Sequence, residues 1–213
     1  MSGLEIWLRV TALVFAAAVI GLLGPAEGIE RWLLVSTSLE QLADGLQWRL
    51  AAAHLYTLRA YFLFDFLFLL AHGYFFQRLL KGKKPALAMM ALDLAENIAA
   101  LFLIDAVLLG KTGESPWFLL YAAAFYLKWM AVAWTYFACS RLPGEGRVLL
   151  ARRLALRVAA VAAIVYPVAF RLLPGAVSDW TGYAVAGCLA VVLATTVLAM
   201  PHRGVPLRTL FFL

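Results

Sequence analysis

Apolar positions fall along this chain in blocks rather than in alternation with polar ones. Six blocks reach spanning length, about 20 residues for a helix rising about 1.5 Å per residue through about 30 Å of hydrocarbon. They lie at residues 4–24, 55–80, 86–109, 117–139, 153–173 and 180–200. The stretch from Val10 to Gly24 behind Arg9 has the outline of a signal peptide. The run extends back through Ile6, Trp7 and Leu8, however, which predicts a first span instead.

Most of the breaks between blocks are tight. "KGKKP" and "GKTGESP" end on Pro85 and Pro116, residues suited to the first turn of a helix, and "RLPGEGR" has the turn residues Pro143, Gly144 and Gly146. One connection, residues 25–54, is long. Within it Ser38 and Gln41 have capping-box spacing, and Leu39, Leu42, Ala43, Leu46 and Leu50 recur at helical spacing opposite Glu40, Asp44 and Gln47. This predicts an amphipathic helix over 38–50 on the outer face, either an interfacial connector or a lid.

Composition agrees with the pattern. The chain has 213 residues, of which 65% are apolar and 14% charged, with a mean hydropathy of +0.88. A soluble domain of this size needs far more charge on its surface. The expected fold is an all-α integral membrane protein, one bundle of six transmembrane helices, placed in the cytoplasmic membrane if the source is prokaryotic.

The net charge of +6 is explained by topology rather than by nucleic acid, since no basic face on a soluble domain is encoded. With the N-terminus inside, the inner ends carry Arg9, Arg78, Lys81, Lys83, Lys84, Arg141, Arg147, Arg152, Arg153, Arg157, Arg203 and Arg208. The outer ends carry Arg31, Arg49, Arg59, Lys111 and Arg171. Twelve against five predicts N-in and C-in. Trp32, Trp48, Trp117 and Trp180 near the outer ends suit interfacial anchoring.

The polar residues inside the blocks carry the functional question. Asp65 lies about 15 Å into the second span, Asp93, Glu96 and Asn97 about 10 to 17 Å into the antiparallel third, and Lys128 at the centre of the fourth. Asp93, Glu96, Asn97 and Ala100 share one helix face. Asp65 with His72, and Tyr121 with Lys128 and Thr135, mark faces of the neighbouring helices. Short turns make the three helices antiparallel neighbours, so the faces converge.

A charge at the bilayer centre costs at least about 2.5 to 3.5 kcal/mol, so these groups must compensate one another. Lys128 is the one deep cation against Asp65, Asp93 and Glu96, and the balance calls for a shared proton, a bound cation or a charged His72. Phe125 and Trp129, with Tyr121, are candidates to line an apolar pocket or to face the ammonium. Equally, Asn97 and a lysine–carboxylate pair serve as glue between helices. Asp105, close to the outer end of its span, needs only interfacial water.

Several chemistries lack their residues. His54 and His72 stand about 27 Å apart along one helix and His202 lies in the tail, which excludes a bis-histidine haem. Cys139 and Cys188 form no CxxC pair, no His-x-x-x-His occurs, and no phosphate-binding glycine motif or serine–histidine motif is present. No cofactor is expected. An oxygen-rich metal site from Asp65, His72, Asp93 and Glu96 is the remaining metal alternative.

Three classes fit this pattern. The first is a proton- or cation-linked permease for a small solute or ion, with Asp65, His72, Asp93, Glu96, Asn97 and Lys128 as its site. The second is a non-catalytic scaffold or partner-binding subunit, with Gly182, Ala186, Gly187 and Ala190 as a close-packing face for a second copy or a partner subunit. The third is an intramembrane enzyme acting on a lipid or quinone-like molecule.

Overall fold

The computed structural model describes residues 29–46, 52–81, 84–142 and 147–172, with positions 6–7, 10–11, 13–14 and 187. The described residues are mostly helical, without a strand. Among the described residues six continuous helices follow in order: α1 (Ile29–Val35), α2 (Leu39–Leu46), α3 (Ala52–Leu79), α4 (Lys84–Leu108), α5 (Pro116–Ser140) and α6 (Arg147–Leu172). The helices α3 to α6 correspond to the second to fifth apolar blocks. The first and sixth blocks lie almost wholly outside the described residues, as do residues 47–50 of the amphipathic stretch and Gly182, Ala186 and Ala190.

Local sequence sets the helix ends. Ser115 caps α5, its Oγ accepting from the Trp117 N–H at 3.4 Å, and Pro116 takes the first helical position, where no N–H is needed. Pro85 lies in the first turn of α4, which begins at Lys84. The α4–α5 turn passes through Gly110 and Gly113 at φ of +66° and +90°, a region that side chains with a Cβ resist. Lys81 enters the same region at φ 54° as it closes α3.

The helix α5 is the centre of the bundle, packed between α4 and α6, with α3 on the other side of α4. Its contacts divide into two apolar layers. One joins Phe75 and Phe76 of α3, and Leu80 just beyond it, to Met89 of α4, Val132, Tyr136 and Cys139 of α5, and Leu156, Ala159, Ala160 and Ala163 of α6. The other joins Leu103, Ile104 and Val107 of α4 to Phe118, Tyr121 and Phe125 of α5 and Tyr166 of α6. Alanines at 99, 100, 131, 133, 159, 160 and 163 are buried, and their small side chains let the helices approach closely.

The outward faces are apolar as well. Leu87, Leu94, Ile98, Phe102 and Leu109 form an exposed stripe at three-, four- and seven-residue spacing around α4, and Leu120, Leu127, Met130, Trp134 and Phe137 do so on α5. The α4 stripe runs about 33 Å, close to the thickness of a bilayer's hydrocarbon. Both helices are long and apolar enough to cross a membrane, and less than half of each apolar window is buried in the protein. A soluble core helix hides such a stripe; here it faces out.

The amphipathic stretch differs from expectation in what it covers. Leu39, Leu42 and Leu46 of α2, with Leu33 and Leu34 of α1, are buried in the second apolar layer against α4, α5 and α6. Its apolar face meets protein rather than lipid, because the helix ends there offer a larger apolar surface. The elbow is pinned by paired bonds: the Leu39 N–H donates to the Gly113 carbonyl at 2.9 Å, and the Gly113 N–H donates to Glu40 Oε1 at 2.8 Å. The capping pattern is realised in a shifted form. Gln41 N–H reaches Ser38 Oγ at 3.4 Å, while Gln41 Oε1 accepts from the Thr37 N–H and hydroxyl, both at 3.0 Å.

Candidate functional site

Between the two apolar layers lies a polar one. It is built where α4 presents "DLAEN" to α3 and α5, with the buried Glu96 and Asn97 on its inward face and Leu94 and Ile98 turned out. Lys128 Nζ stands 2.7 Å from Glu96 Oε2 and 3.2 Å from Asp93 Oδ1. Glu96 is sealed, with 4% of its side chain exposed, whereas Lys128 and Asp93 retain 13% and 15%. One ammonium therefore bridges two carboxylates one helical turn apart.

The angles are less favourable than the distances. Asp93 Oδ1 and Glu96 Oε2 are both buried, and neither makes an aligned hydrogen bond. Charge and proximity hold these pairs, not directional bonding. On the other side of α4, Asn97 Nδ2 donates to Asp65 Oδ2 of α3 at 2.6 Å. Asn97 and Glu96 are adjacent, so the third carboxyl reaches the same layer through the asparagine.

Aromatic rings flank the ammonium. The ring centres of Phe125 and Trp129 lie 5.8 Å and 5.6 Å from Lys128 Nζ, within the range of a cation–π interaction. Tyr166 of α6 packs on Trp129 with 4.4 Å between ring centres. The Trp129 indole N–H is buried and has no acceptor among the described residues. Tyr121 is buried farther along α5, stacked on Phe125 at 6.3 Å.

Comparison with protein-family models, curated proteins and solved structures gave no match. What the site does must therefore be read from its own residues.

The structure divides the group of residues picked from the sequence. Asp93, Glu96 and Lys128 come together, and Asn97 brings in Asp65. His72 instead sits in an aromatic box: its ring stacks on Phe68 at 4.9 Å, meets Phe76 edge-on at 4.8 Å, and has Nε2 3.4 Å from the Tyr136 hydroxyl. Seven residues separate Asp65 from His72, about 10 Å along α3, and Phe68 lies between them in sequence with its ring on His72. Thr135, on the expected polar face of α5, is fully buried and donates to its own helix at the Ala131 carbonyl, 2.8 Å away. Asp105 is exposed near the end of α4. Among the described residues no group of three or more His, Cys, Asp or Glu is gathered to hold a metal ion.

Tyr166 and the Trp129 indole are site features that sequence reading did not single out for these contacts. Tyr166 is the one aromatic residue between Ala155 and Pro167 in an otherwise aliphatic run, and that isolation is the signal it offered.

Proposed function

We propose that this chain is a multi-pass membrane protein, with its N- and C-termini on one side, that moves a small solute or ion by coupling it to a proton or monovalent cation at the Asp93–Glu96–Lys128–Asp65 layer. The supporting observation is the charge ratio of the layer: it holds three carboxyls and one ammonium, which stands 2.7 and 3.2 Å from two of them, while the third is bonded to Asn97. A clamp that only binds helices together gains most from matched charge and good geometry. This layer does not match its charges, with three carboxyls to one ammonium. Protonation of a carboxyl, or a cation beside it, changes which oxygen holds Lys128, and the α4–α5 packing shifts with it.

Helix arrangement supports the spanning geometry. The 36–46 elbow and the 109–115 turn are bonded at one end, whereas Leu80 and Cys139 share the apolar layer at the other. That second end carries Arg78, Lys81, Lys84, Arg141, Arg152 and Arg153, the side that the positive-inside rule places within the cell.

The test is reconstitution of the full chain into phosphatidylcholine–phosphatidylglycerol vesicles holding a trapped pH-sensitive dye, with a potassium diffusion potential imposed. Protein-dependent proton entry is expected, and it is lost in Glu96→Gln while the melting temperature in detergent is kept, because Asp93 still pairs Lys128. Wild-type vesicles that admit protons or sodium no faster than empty ones overturn the reading.

A second reading, a scaffold subunit, draws support from the fact that every ionisable group of the layer has a partner. It predicts the reverse result: no flux in the wild type, and a folding defect in Glu96→Gln.

A further inference from the structure

The end of the bundle opposite the α1–α2 elbow holds a buried arginine that the central site does not use. Arg152, in the second turn of α6, is 6% exposed, and its Nε is buried without a hydrogen-bond partner among the described residues. Among the described residues, the titratable groups acting on it are the Cys139 thiol of α5 and the Arg153 guanidinium, neither of them a carboxylate. Burying a guanidinium beside a second one is unfavourable unless an anion joins them.

Two of the other cations at this end stand at the α5–α6 junction. Arg153 reaches across to α5's last turn, its Nη2 donating to the Leu142 carbonyl at 3.1 Å. Arg141 lies over the Phe137 ring, 4.3 Å from its centre. Depth identifies the surroundings. Cys139 is eleven residues beyond Lys128 on α5, about 17 Å along the axis, whereas half the hydrocarbon is about 15 Å. With Lys128 at mid-depth, Arg152 beside Cys139 stands where hydrocarbon gives way to lipid phosphates. Phe137, Leu150 and Leu154, exposed on the same turns, suit acyl chains.

We propose that Arg152, with Arg141 and Arg153 at its rim, forms a phosphate-binding site between α5 and α6 that takes the headgroup of an anionic phospholipid. The guanidinium fork matches two phosphate oxygens, which a solvated surface lysine does not do. The site rests on the spanning geometry proposed above but not on transport, and it is tested by binding, so its failure leaves the flux experiment untouched.

The experiment is native mass spectrometry of the detergent-purified full chain, titrated with palmitoyl-oleoyl phosphatidylglycerol or with the matching phosphatidylcholine. A parallel thermal-shift series uses inorganic phosphate alone. Retention of phosphatidylglycerol over phosphatidylcholine is expected, weakened about tenfold in Arg152→Gln, the loss of one charge-assisted contact. Arg171→Gln, at the other end, should bind as wild type. Equal retention of the two lipids, or wild-type binding by Arg152→Gln, overturns the site. Stabilisation by phosphate alone to the same extent overturns the lipid as its source. Should Arg152→Gln not fold, the Arg141→Gln/Arg153→Gln pair carries the test: a several-fold loss is expected, and unchanged binding overturns the proposal.

Discussion

Glu96 and Lys128 meet across the α4–α5 interface with 2.7 Å between Oε2 and Nζ, while Asp93, one turn earlier, holds the same ammonium at 3.2 Å. The cation is shared, so removing either carboxylate leaves it partnered, whereas removing the lysine strands two carboxylates at once. The consequences of substitution are therefore unequal.

Lys128→Met should be the most damaging single change in this layer, by up to about 3 to 5 kcal/mol if both carboxylates stay ionised. Lys128→Met combined with Glu96→Gln should recover part of that loss, because a stranded buried charge goes with it. Melting temperatures of the four proteins of this cycle, in one detergent, measure the coupling. A double variant no more stable than Lys128→Met would show that the Glu96 contact carries no stability.

His72→Phe should be tolerated. The phenyl ring keeps the stack on Phe68 and the edge contact with Phe76, at a cost of less than about 1.5 kcal/mol. Proton entry in the vesicle assay should persist, since rings rather than acids surround this position. Loss of entry with unchanged melting would bring His72 into the pathway.

The elbow should loosen in acid. Glu40's carboxyl is held below the ordinary value of 4.5 by hydrogen bonds from its own backbone N–H, then from the Ser38 hydroxyl and the Gly113 N–H. The folded value lies below the unfolded one, so this stabilisation is complete above pH 4.5 and disappears as pH falls through the lowered folded value. Across that range the melting temperature of wild type should fall towards that of Glu40→Gln, which has no carboxylate to protonate. A gap between the two that stays constant with pH would contradict the clamp.

Two glycines should respond differently to alanine. A Cβ at Gly45 lands on the Trp32 indole of α1, a rigid ring that must shift to admit it, so Gly45→Ala should cost about 1 to 3 kcal/mol. A Cβ at Gly73 meets the Met90 side chain, which is flexible and can turn away, and alanine gains about 1 kcal/mol in helix propensity. Gly73→Ala should therefore lie near wild type in thermal melts, well above Gly45→Ala.

By itself the sequence determined the elements. Blocks of apolar residues with proline at their starts and glycine in their turns specify helices at α3 to α6, because these signals act within a few residues. It also marked Asp93, Glu96 and Lys128, since helical spacing and depth are countable along a chain. Tertiary structure alone decided which acid meets which base. Asp65 is bonded by Asn97, and His72 turns into rings, because rotation about a helix axis is set by neighbouring side chains and not by spacing. It decided, too, that α2 buries Leu39, Leu42 and Leu46 in protein. An amphipathic pattern states that one face seeks an apolar surface, and lipid and protein satisfy that demand equally until the helix ends supply the better fit.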